Sequence, residues 1–421
     1  MIHTIPLSPG VTLRCFPDNR FKQAYLSVQF VRQMRREEAA LNALLPAILL
    51  RGCRSCPDLR SITLRLDDLY GAAIGTVTRR IGDYQTTGLS CGFIEDRYAL
   101  QSDAVFAPMA EFIRELLLDP VMENGVFRED FVRSEKKNLI ATIEAQRNDK
   151  RYYASNRMNR LLCQNDSFGI PRLGEIEQVA AITAQSLYSH YQTILRESPV
   201  ELFYVGSAEP GLVAAVLRPI FAGLDRVCQP LPEQTGFHPA PYVEETETMD
   251  VTQARLCMGF STPITLRHED FAAMQVFNTL FGAGMTSKLF MELRERQSLC
   301  YDIGSGYQGS KGILTVTAGI DGCQYDHARQ EILRQLELCC QGSISHEELN
   351  AAKQAIISQL QSTHDSPGSI EGYYATAALS GLKLTPRQYA EAVEQVSIQD
   401  AARAAQSVQL HTVFFLKGVQ E

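Results

Sequence analysis

The sequence predicts an α+β protein made of two similar domains. The chain has 421 residues, 45% of them hydrophobic, which is more than one hydrophobic core commonly serves. Hydrophobic spacing changes between helical and strand periods without the strict β-α-β alternation of a parallel sheet. The two halves also look like weak copies of one design, as expected of a duplicated unit.

The first half mixes strands and helices. Gly52 is a suitable residue to end the first helix, and Leu59, Ile62, Leu66 and Leu69 give the second helix an apolar face. The predicted elements are strands at 13–15 and 25–31, helices at 37–50 and 59–70, strands at 74–79 and 84–93, helices at 104–118, 128–148 and 183–195, a strand at 200–206 and a helix at 209–222.

A change of composition separates the halves. Five residues between 230 and 241 are proline or glycine, and Glu244, Glu245 and Glu247 follow them. Prolines extend a chain and acidic side chains keep it solvated, so this segment is typical of a linker. We predict an N-terminal domain at 1–225, a linker at 226–250 and a C-terminal domain at 251–421.

The second half repeats the mixture. Gly282-Ala283-Gly284 interrupts it after the first helix. The predicted elements are a strand at 255–261, helices at 271–281 and 287–296, strands at 301–307 and 312–320, helices at 324–340, 346–362, 368–381 and 386–394, and a strand at 411–416.

Charge and composition exclude several classes of protein. A net charge of −8 without a long basic run argues against nucleic-acid binding. The longest apolar runs are too short to span a bilayer, and the first residues lack the features of a signal peptide, so we expect a cytoplasmic protein that does not bind membranes. The 11 scattered cysteines, with the pair Cys53-Arg54-Ser55-Cys56, are typical of reduced, mostly buried thiols.

The stretch from Thr279 to Tyr301 resembles the second domain of pitrilysin-type zinc peptidases, the inverzincin family that includes insulysin and the mitochondrial processing peptidases. Leu49-Leu50-Arg51-Gly52 and Phe127 to Ile143 are similar to the family's first helix end and long helix. The resemblance implies two homologous LuxS/processing-peptidase-like domains, each a mostly antiparallel sheet packed with helices, joined by a linker into a clamshell.

The family's zinc motif is missing. Active members carry H-x-x-E-H on the first helix, where two histidines four residues apart bind zinc and the glutamate activates water. The resemblance places Ala43, Pro46 and Ala47 at these positions, and Ala141 or Thr142 at the position of the further carboxylate ligand. No two of the eight histidines lie four residues apart. We therefore expect no metal and no other cofactor; Glu135 and Glu144 are interpreted as surface charges.

Arg294 and Tyr301 match the family's arginine and tyrosine that hydrogen-bond the bound peptide. Both are hydrogen-bond donors at neutral pH and suit an oxyanion that forms at a scissile carbonyl. The alternative is structural: Arg294 pairs with Glu292 or Glu295, and Tyr301 begins a buried strand. Gly282 and Gly284 match a glycine-rich substrate-binding loop, or they form a plain helix end and turn.

The resemblance implies an inactive partner subunit. It would supply substrate binding and transition-state hydrogen bonds to a homologous zinc-bearing peptidase chain, acting on a peptide or an unfolded polypeptide. Alone it would have no peptidase activity and could form a homodimer. The alternative is a scaffold protein that keeps only the fold, as the respiratory-complex core subunits of the superfamily do.

Overall fold

The computed structural model describes residues 2–419. The first half contains eight strands and eight α-helices among its described residues. The strands are β1 His3–Ser8, β2 Val11–Pro17, β3 Gln23–Gln33, β4 Ala73–Ile81, β5 Tyr84–Ile94, β6 Met122–Glu123, β7 Val126–Phe127 and β8 Val200–Gly206. The helices are α1 Arg36–Leu49, α2 Leu59–Asp68, α3 Phe106–Leu118, α4 Glu129–Asn148, α5 Lys150–Leu162, α6 Ile176–Ala181, α7 Ala184–Glu197 and α8 Pro210–Phe221.

The second half has the same kinds of element. Its strands are β9 Val243–Met249, β10 Ala254–Ser261, β11 Cys300–Gln308, β12 Ile313–Ile320 and β13 Gln409–Gly418. Its helices are α9 Phe271–Phe281, α10 Tyr325–Cys340, α11 His346–Ser362, α12 Pro367–Ser380, α13 Pro386–Glu394 and α14 Ile398–Gln406, with a π-helix at Phe290–Arg296. Among residues 2–419, no helix combines the length and the apolar character needed to cross a bilayer.

The chain forms two compact units. Unit 1 comprises the residues through Glu144, Ile170–Gln234 and His364–Leu379, and unit 2 comprises Ala145–Gly169, Thr235–Thr363 and the residues from Ser380. These units differ from the predicted bounds of 1–225 and 251–421, because each contains a segment from the other half of the sequence. Unit 2 includes α5, and unit 1 includes most of α12.

The two main sheets have the same topology. Unit 1 has the strand order β4-β5-β3-β8-β2-β1, and unit 2 has the order β11-β12-β10-β13-β9. In both, the first four strands pair antiparallel, and the next pair, β8 with β2 or β13 with β9, is parallel. This correspondence confirms the predicted α+β fold with a duplicated, mostly antiparallel sheet.

The corresponding central strands, β3 and β10, are buried along most of their length. Side chains alternate between the faces of a sheet, so each face needs its own cover. In unit 1, Leu26, Val28 and Phe30 join the main apolar core. On the other face, the side chains of Ser27 and Gln29 contact α12.

Strand β9 lies within the predicted linker. The last part of the predicted linker at 226–250 forms a strand, since Val243–Met249 pairs with β13. Glu245 is bound by Arg157 at 2.5 Å, and Glu244 by Arg329 at 3.2 Å. These ion pairs offset the unfavourable charge of an acidic strand.

Candidate functional site

Helix α1 contains none of the zinc-binding side chains of the family. Ala43 and Ala47 are partly exposed and Pro46 is buried. Alanine and proline side chains have no atom that can coordinate a metal. The residues at these positions therefore do not fit a zinc ion.

Pro46 changes the backbone hydrogen bonding of α1. Proline has no N–H to donate to the carbonyl four residues earlier, which here belongs to Asn42. The hydroxyl of Thr87 on β5 donates to that carbonyl at 2.6 Å. Strand β5 thus supplies the hydrogen bond that the Asn42 carbonyl cannot receive from Pro46.

A buried polar network fixes α1 beside the sheet. Asn42 donates to the Gln85 side-chain oxygen at 2.8 Å, and His190 Nε2 lies 2.7 Å from Asn42 Oδ1. The Asn42 oxygen can only accept, so Nε2 carries the proton. Burial, together with the charge of Arg32, lowers the pKa of His190 to about 4. His190 is therefore a neutral structural residue near neutral pH.

The positions of the family's further ligand lie on α4. Ala141 and Thr142 are exposed, and the Thr142 hydroxyl donates to the carbonyl of Asn138 at 2.9 Å. Glu135 is half-buried and pairs with Arg51 at 3.1 Å, so its interpretation as a surface charge is wrong, whereas Glu144 is exposed. Within residues 2–419, no three His, Cys, Asp or Glu side chains form a group that could hold a metal ion.

Arg294 lies in the π-helix of unit 2. Gln297 N–H donates to the Glu292 carbonyl, five residues back, at 3.0 Å. Such wide turns occur often at functional sites. The Arg294 side chain is 44% exposed; its guanidinium carbon lies 4.8 Å from the Phe290 ring centre and its Nε 3.8 Å from Glu295. The guanidinium is therefore held at the surface with much of it accessible.

Tyr301 is the extra residue of a β-bulge. Cys300 pairs with Ile320 and Asp302 with Gly319, so the register shifts at Tyr301. A bulge redirects a side chain, and Tyr301 is 59% exposed. The alternative interpretation, that Tyr301 begins a buried strand, is therefore wrong. Its hydroxyl donates to Asp321 at 2.9 Å.

Nearby charges, including that of Arg294, affect the pKa of Cys300, the residue before Tyr301. Burial and the charge of Asp302 raise the pKa of the Cys300 thiol to about 11, while the positive charge of Arg294 acts in the opposite direction. The thiol is therefore protonated near neutral pH. Asp302 itself is held by Arg255 at 2.6 Å. The Arg294 guanidinium and the Tyr301 side chain are both accessible at this place.

Gly282 and Gly284 have different surroundings. Gly282 is buried, and its carbonyl accepts a hydrogen bond from Ser305 N–H at 3.0 Å. A Cβ atom there would lie 2.7 Å from the Ser305 hydroxyl, so close packing explains this glycine. Gly284 faces open space. A substrate-binding role for either stays a prediction.

The cysteines agree with the expectation from their spacing. All 11 are free, and eight are buried: Cys15, Cys53, Cys56, Cys91, Cys163, Cys257, Cys300 and Cys339. Burial is the main cause that raises the pKa of the Cys53 thiol. A raised pKa makes a poor nucleophile, which agrees with a structural role for the Cys53–Cys56 turn.

Sequence reasoning missed a buried charge cluster in unit 1. The Glu371 side chain on α12 accepts hydrogen bonds from Ser27 at 2.9 Å, from Gln29 at 2.6 Å, and from both Nη atoms of Arg79 at 3.0 and 2.8 Å. Its partners lie roughly 300 residues away along the chain, and no local pattern around Glu371 signals them.

Comparison with known proteins shows which family this chain is similar to. Residues 181–356 match the model of the peptidase M16 inactive domain. The chain is 28% identical to "Probable inactive metalloprotease YmfF" of Bacillus subtilis (strain 168) over 98% of this chain and 96% of the relative. It is 23% identical to "Uncharacterized zinc protease YmxG" of the same organism, over 74% of this chain and 76% of the relative.

A solved structure shows the same fold. A conserved protein from Enterococcus faecalis V583 superposes with a TM-score of 0.93 at 27% identity, covering 100% of this chain and 99% of that one. The family match, the relatives, the duplicated sheets and the missing ligand side chains point to one conclusion. The chain is similar to the M16-family metalloproteases, the family that its sequence resembles, and α1 carries none of that family's zinc-binding side chains.

Proposed function

We propose that this chain is the non-metal subunit of a heteromeric zinc endopeptidase. It would bind the polypeptide substrate and supply hydrogen bonds from Arg294 and Tyr301, and a homologous zinc-bearing chain would carry out the bond cleavage. One observation carries the proposal: the family's zinc-binding positions on α1 hold only alanine and proline, yet Arg294 and the bulged Tyr301 are both accessible.

The chemistry of the pair supports this role. A guanidinium and a phenol both donate hydrogen bonds without first losing a proton. Donors fixed in advance around a developing oxyanion lower the barrier of peptide hydrolysis. The π-helix and the bulge fix where these two groups lie in unit 2.

The relatives also favour a pair of chains. Bacillus subtilis contains relatives of this chain that are named as an inactive metalloprotease and as a zinc protease. A homologous zinc-bearing partner is therefore a reasonable candidate for reconstitution. The partner's surface would have to be large, since stable subunit interfaces commonly bury 1,200 Å² or more.

The proposal is tested by reconstituting this chain with a zinc-bearing homologue from the same genome. We expect Arg294→Ala to lower the turnover number by about 100-fold, the effect of removing one oxyanion donor. Tyr301→Phe should lower it by a smaller factor. Arg296→Ala is the matched control, because Arg296 lies two residues away and is 67% exposed.

The alternative is a scaffold protein that keeps only the fold. The contacts of Tyr301 with Asp321, and of Arg294 with Phe290 and Glu295, favour it, because they give both side chains a local structural use. Unchanged turnover in both variants would support the scaffold. Elemental analysis of the purified chain alone should show no stoichiometric zinc under either function.

A further inference from the structure

An apolar cavity lies in unit 2 between the start of α9 and the loop that precedes α13. Its volume is about 640 Å³, and cavities of about 300 to 1,000 Å³ commonly hold small molecules. The residues that line it, within 266–272 and 381–392, all belong to unit 2. The cavity is therefore a feature of one compact unit, and we call it the α9–α13 pocket.

The wall of the pocket is apolar. Five hydrophobic side chains line it, from Leu266, Phe271, Ala272, Leu384 and Ala392. The centre of the Phe271 ring lies 5.0 Å from that of Tyr389 and 6.3 Å from that of Tyr307. The wall is thus fixed in advance by packing, which lowers the cost of ordering it around an apolar ligand.

Three charged side chains also line the pocket, from Arg267, Glu269 and Lys383. All three are exposed. Within residues 2–419, the side chains of Glu269 and Lys383 take part in no hydrogen bond or ion pair, and Arg267 donates one hydrogen bond, from Nε to the Ser380 carbonyl at 3.4 Å. In that part of the chain, no carboxylate is paired with either cation.

The neighbouring carboxylate of Asp270 is already occupied. Its Oδ1 accepts a hydrogen bond from Arg403 at 2.9 Å. The backbone N–H of Asp270 donates to His268 Nδ1 at 3.1 Å, so this nitrogen of the pocket residue His268 is occupied too. The charges that a ligand of the pocket meets unpaired are therefore those of Arg267, Glu269 and Lys383.

Gly381 brings the two cations to the same edge of the pocket. Its φ of +80° is in the left-handed region that favours glycine. A Cβ atom there would collide with Arg267 Nε, so the Arg267 side chain lies directly against the loop that carries Lys383 two residues later. Two neighbouring cations repel each other unless an anion lies between them.

We propose that the α9–α13 pocket binds a short apolar peptide with free ends, such as a dipeptide of leucine. Its terminal carboxylate pairs with Arg267 and Lys383, its terminal ammonium pairs with Glu269, and its side chains contact the apolar wall. Each unpaired charge of the pocket thereby gains a partner of opposite sign. The inference does not rest on the proposed function, although products of peptide hydrolysis have this chemistry.

The test is isothermal titration calorimetry on the full chain alone with four synthetic ligands. Dileucine has both ends free, dileucine amide lacks the carboxylate and N-acetyl-dileucine lacks the ammonium. Diserine keeps both ends and lacks the apolar side chains. The four ligands thus separate the contributions of the two charges and of the apolar wall.

Variants of the chain locate the site. Arg267→Gln/Lys383→Gln removes both cations, and Glu269→Gln removes the carboxylate. Because the three side chains are exposed, these changes leave the core intact. Arg387→Gln and Glu391→Gln on α13 are the matched controls, because these residues do not line the pocket and their side chains are 88% and 61% exposed.

We expect dileucine to bind about fivefold more tightly than its amide or its acetylated form, as is typical of a partly exposed charge pair. Diserine should bind at least about tenfold more weakly, since it buries little apolar surface. The double variant should bind dileucine and its amide equally. Glu269→Gln should bind dileucine and its acetylated form equally, and both control variants should keep all the preferences.

The inference would be overturned by no detectable binding of dileucine at millimolar concentration or by equal binding of all four ligands. Preferences that survive in the pocket variants would also overturn it, because the ligand would then bind elsewhere. If acetylation alone has no effect, the pocket binds a simple anion and the inference fails. None of these measurements requires turnover, so they are separate from the test of the subunit role.

Discussion

Helices α5 and α12 occupy corresponding places in the duplicated chain, each following the long helix of its half, yet their contacts differ. In unit 2, Met158 and Leu162 of α5 lie against β10 so closely that a Cβ atom at Gly259 would come within 2.6 Å of the Met158 sulfur. In unit 1, α12 is fixed by the buried carboxylate of Glu371. The buried contacts of α5 are apolar, whereas α12 adds a buried carboxylate to apolar side chains such as Ile370.

Unit 2 also contains a buried charge close to α5. The loop after α5 carries Asp166, which pairs at 3.1 Å with Lys311, and both side chains are almost fully buried. Unit 2 therefore also contains a buried ion pair, but outside the helix itself. The duplicated topology specifies where a helix lies, and each half supplies different contacts to hold it there. Variants of each contact type can test this difference.

The largest effect is expected for Glu371→Ala. The change leaves Arg79 and Gln29 without their buried partner, and losing one member of a buried ion pair commonly costs about 4 kcal/mol. Urea denaturation should show this loss, and hydrogen exchange should show faster opening of β3 and β4. Glu391→Ala is the control, because Glu391 is 61% exposed in its pair with Arg387. A similar small cost for both variants would mean that charge does not hold α12.

Met158→Ala should lower the free energy of unfolding by about 3 kcal/mol, since it leaves a cavity between α5 and β10. The effect should be nearly independent of salt and should speed hydrogen exchange in β10 and β13. Met285→Ala, at a methionine that is 76% exposed, is the matched control. Strong salt dependence of the Met158→Ala effect would contradict apolar docking of α5.

A smaller effect is expected from His190, which tests whether the buried polar contacts of unit 1 extend to α1. Its folded-state pKa of about 4 lies below the ordinary value of 6.5, so the unfolded chain binds the proton more readily. Its contribution to stability is complete above pH 6.5 and is lost as the pH falls toward 4. Between pH 6.5 and 4.5 the loss is about 2 kcal/mol.

Thermal unfolding across this pH range checks the prediction. His190→Gln keeps a donor for Asn42 and removes the titration, so its stability should fall less steeply with acid. The exposed His327→Gln should behave like the parent chain. Identical pH profiles for the parent and His190→Gln would show that His190 is not the titrating group.

Much of the fold was predictable because most elements have strong local patterns. Helices α11 and α13 agree with their predicted bounds, and most other predicted elements differ by only a few residues. Helix α5 was missed because it is rich in polar residues, and its buried side chains, Ala154, Met158 and Leu162, form only a narrow stripe. Strand β9 was missed because three of its seven residues are Glu, and its stability depends on Arg157 and Arg329 from helices distant in the sequence.

The candidate site was predictable in identity but not in geometry. The sequence alone is enough to show that no histidine pair exists and to select Arg294 and Tyr301. The π-helix and the bulge were not predictable, because each depends on one additional residue in an otherwise ordinary pattern. The exchange of α5 and α12 also leaves no local signal, since it is decided by contacts between residues far apart in the sequence.

Because α5 belongs to unit 2 and most of α12 to unit 1, neither half can finish folding before parts of the other half have been synthesised. Unit 1 needs the segment His364–Leu379, so its sheet cannot acquire its α12 cover until residue 379 of 421 has been synthesised. Until then, Ser27, Gln29 and Arg79 remain without Glu371 on the ribosome-bound chain. The first half therefore completes its folding only after most of the second half has been synthesised, and cutting the gene between them would leave each product without one of its helices.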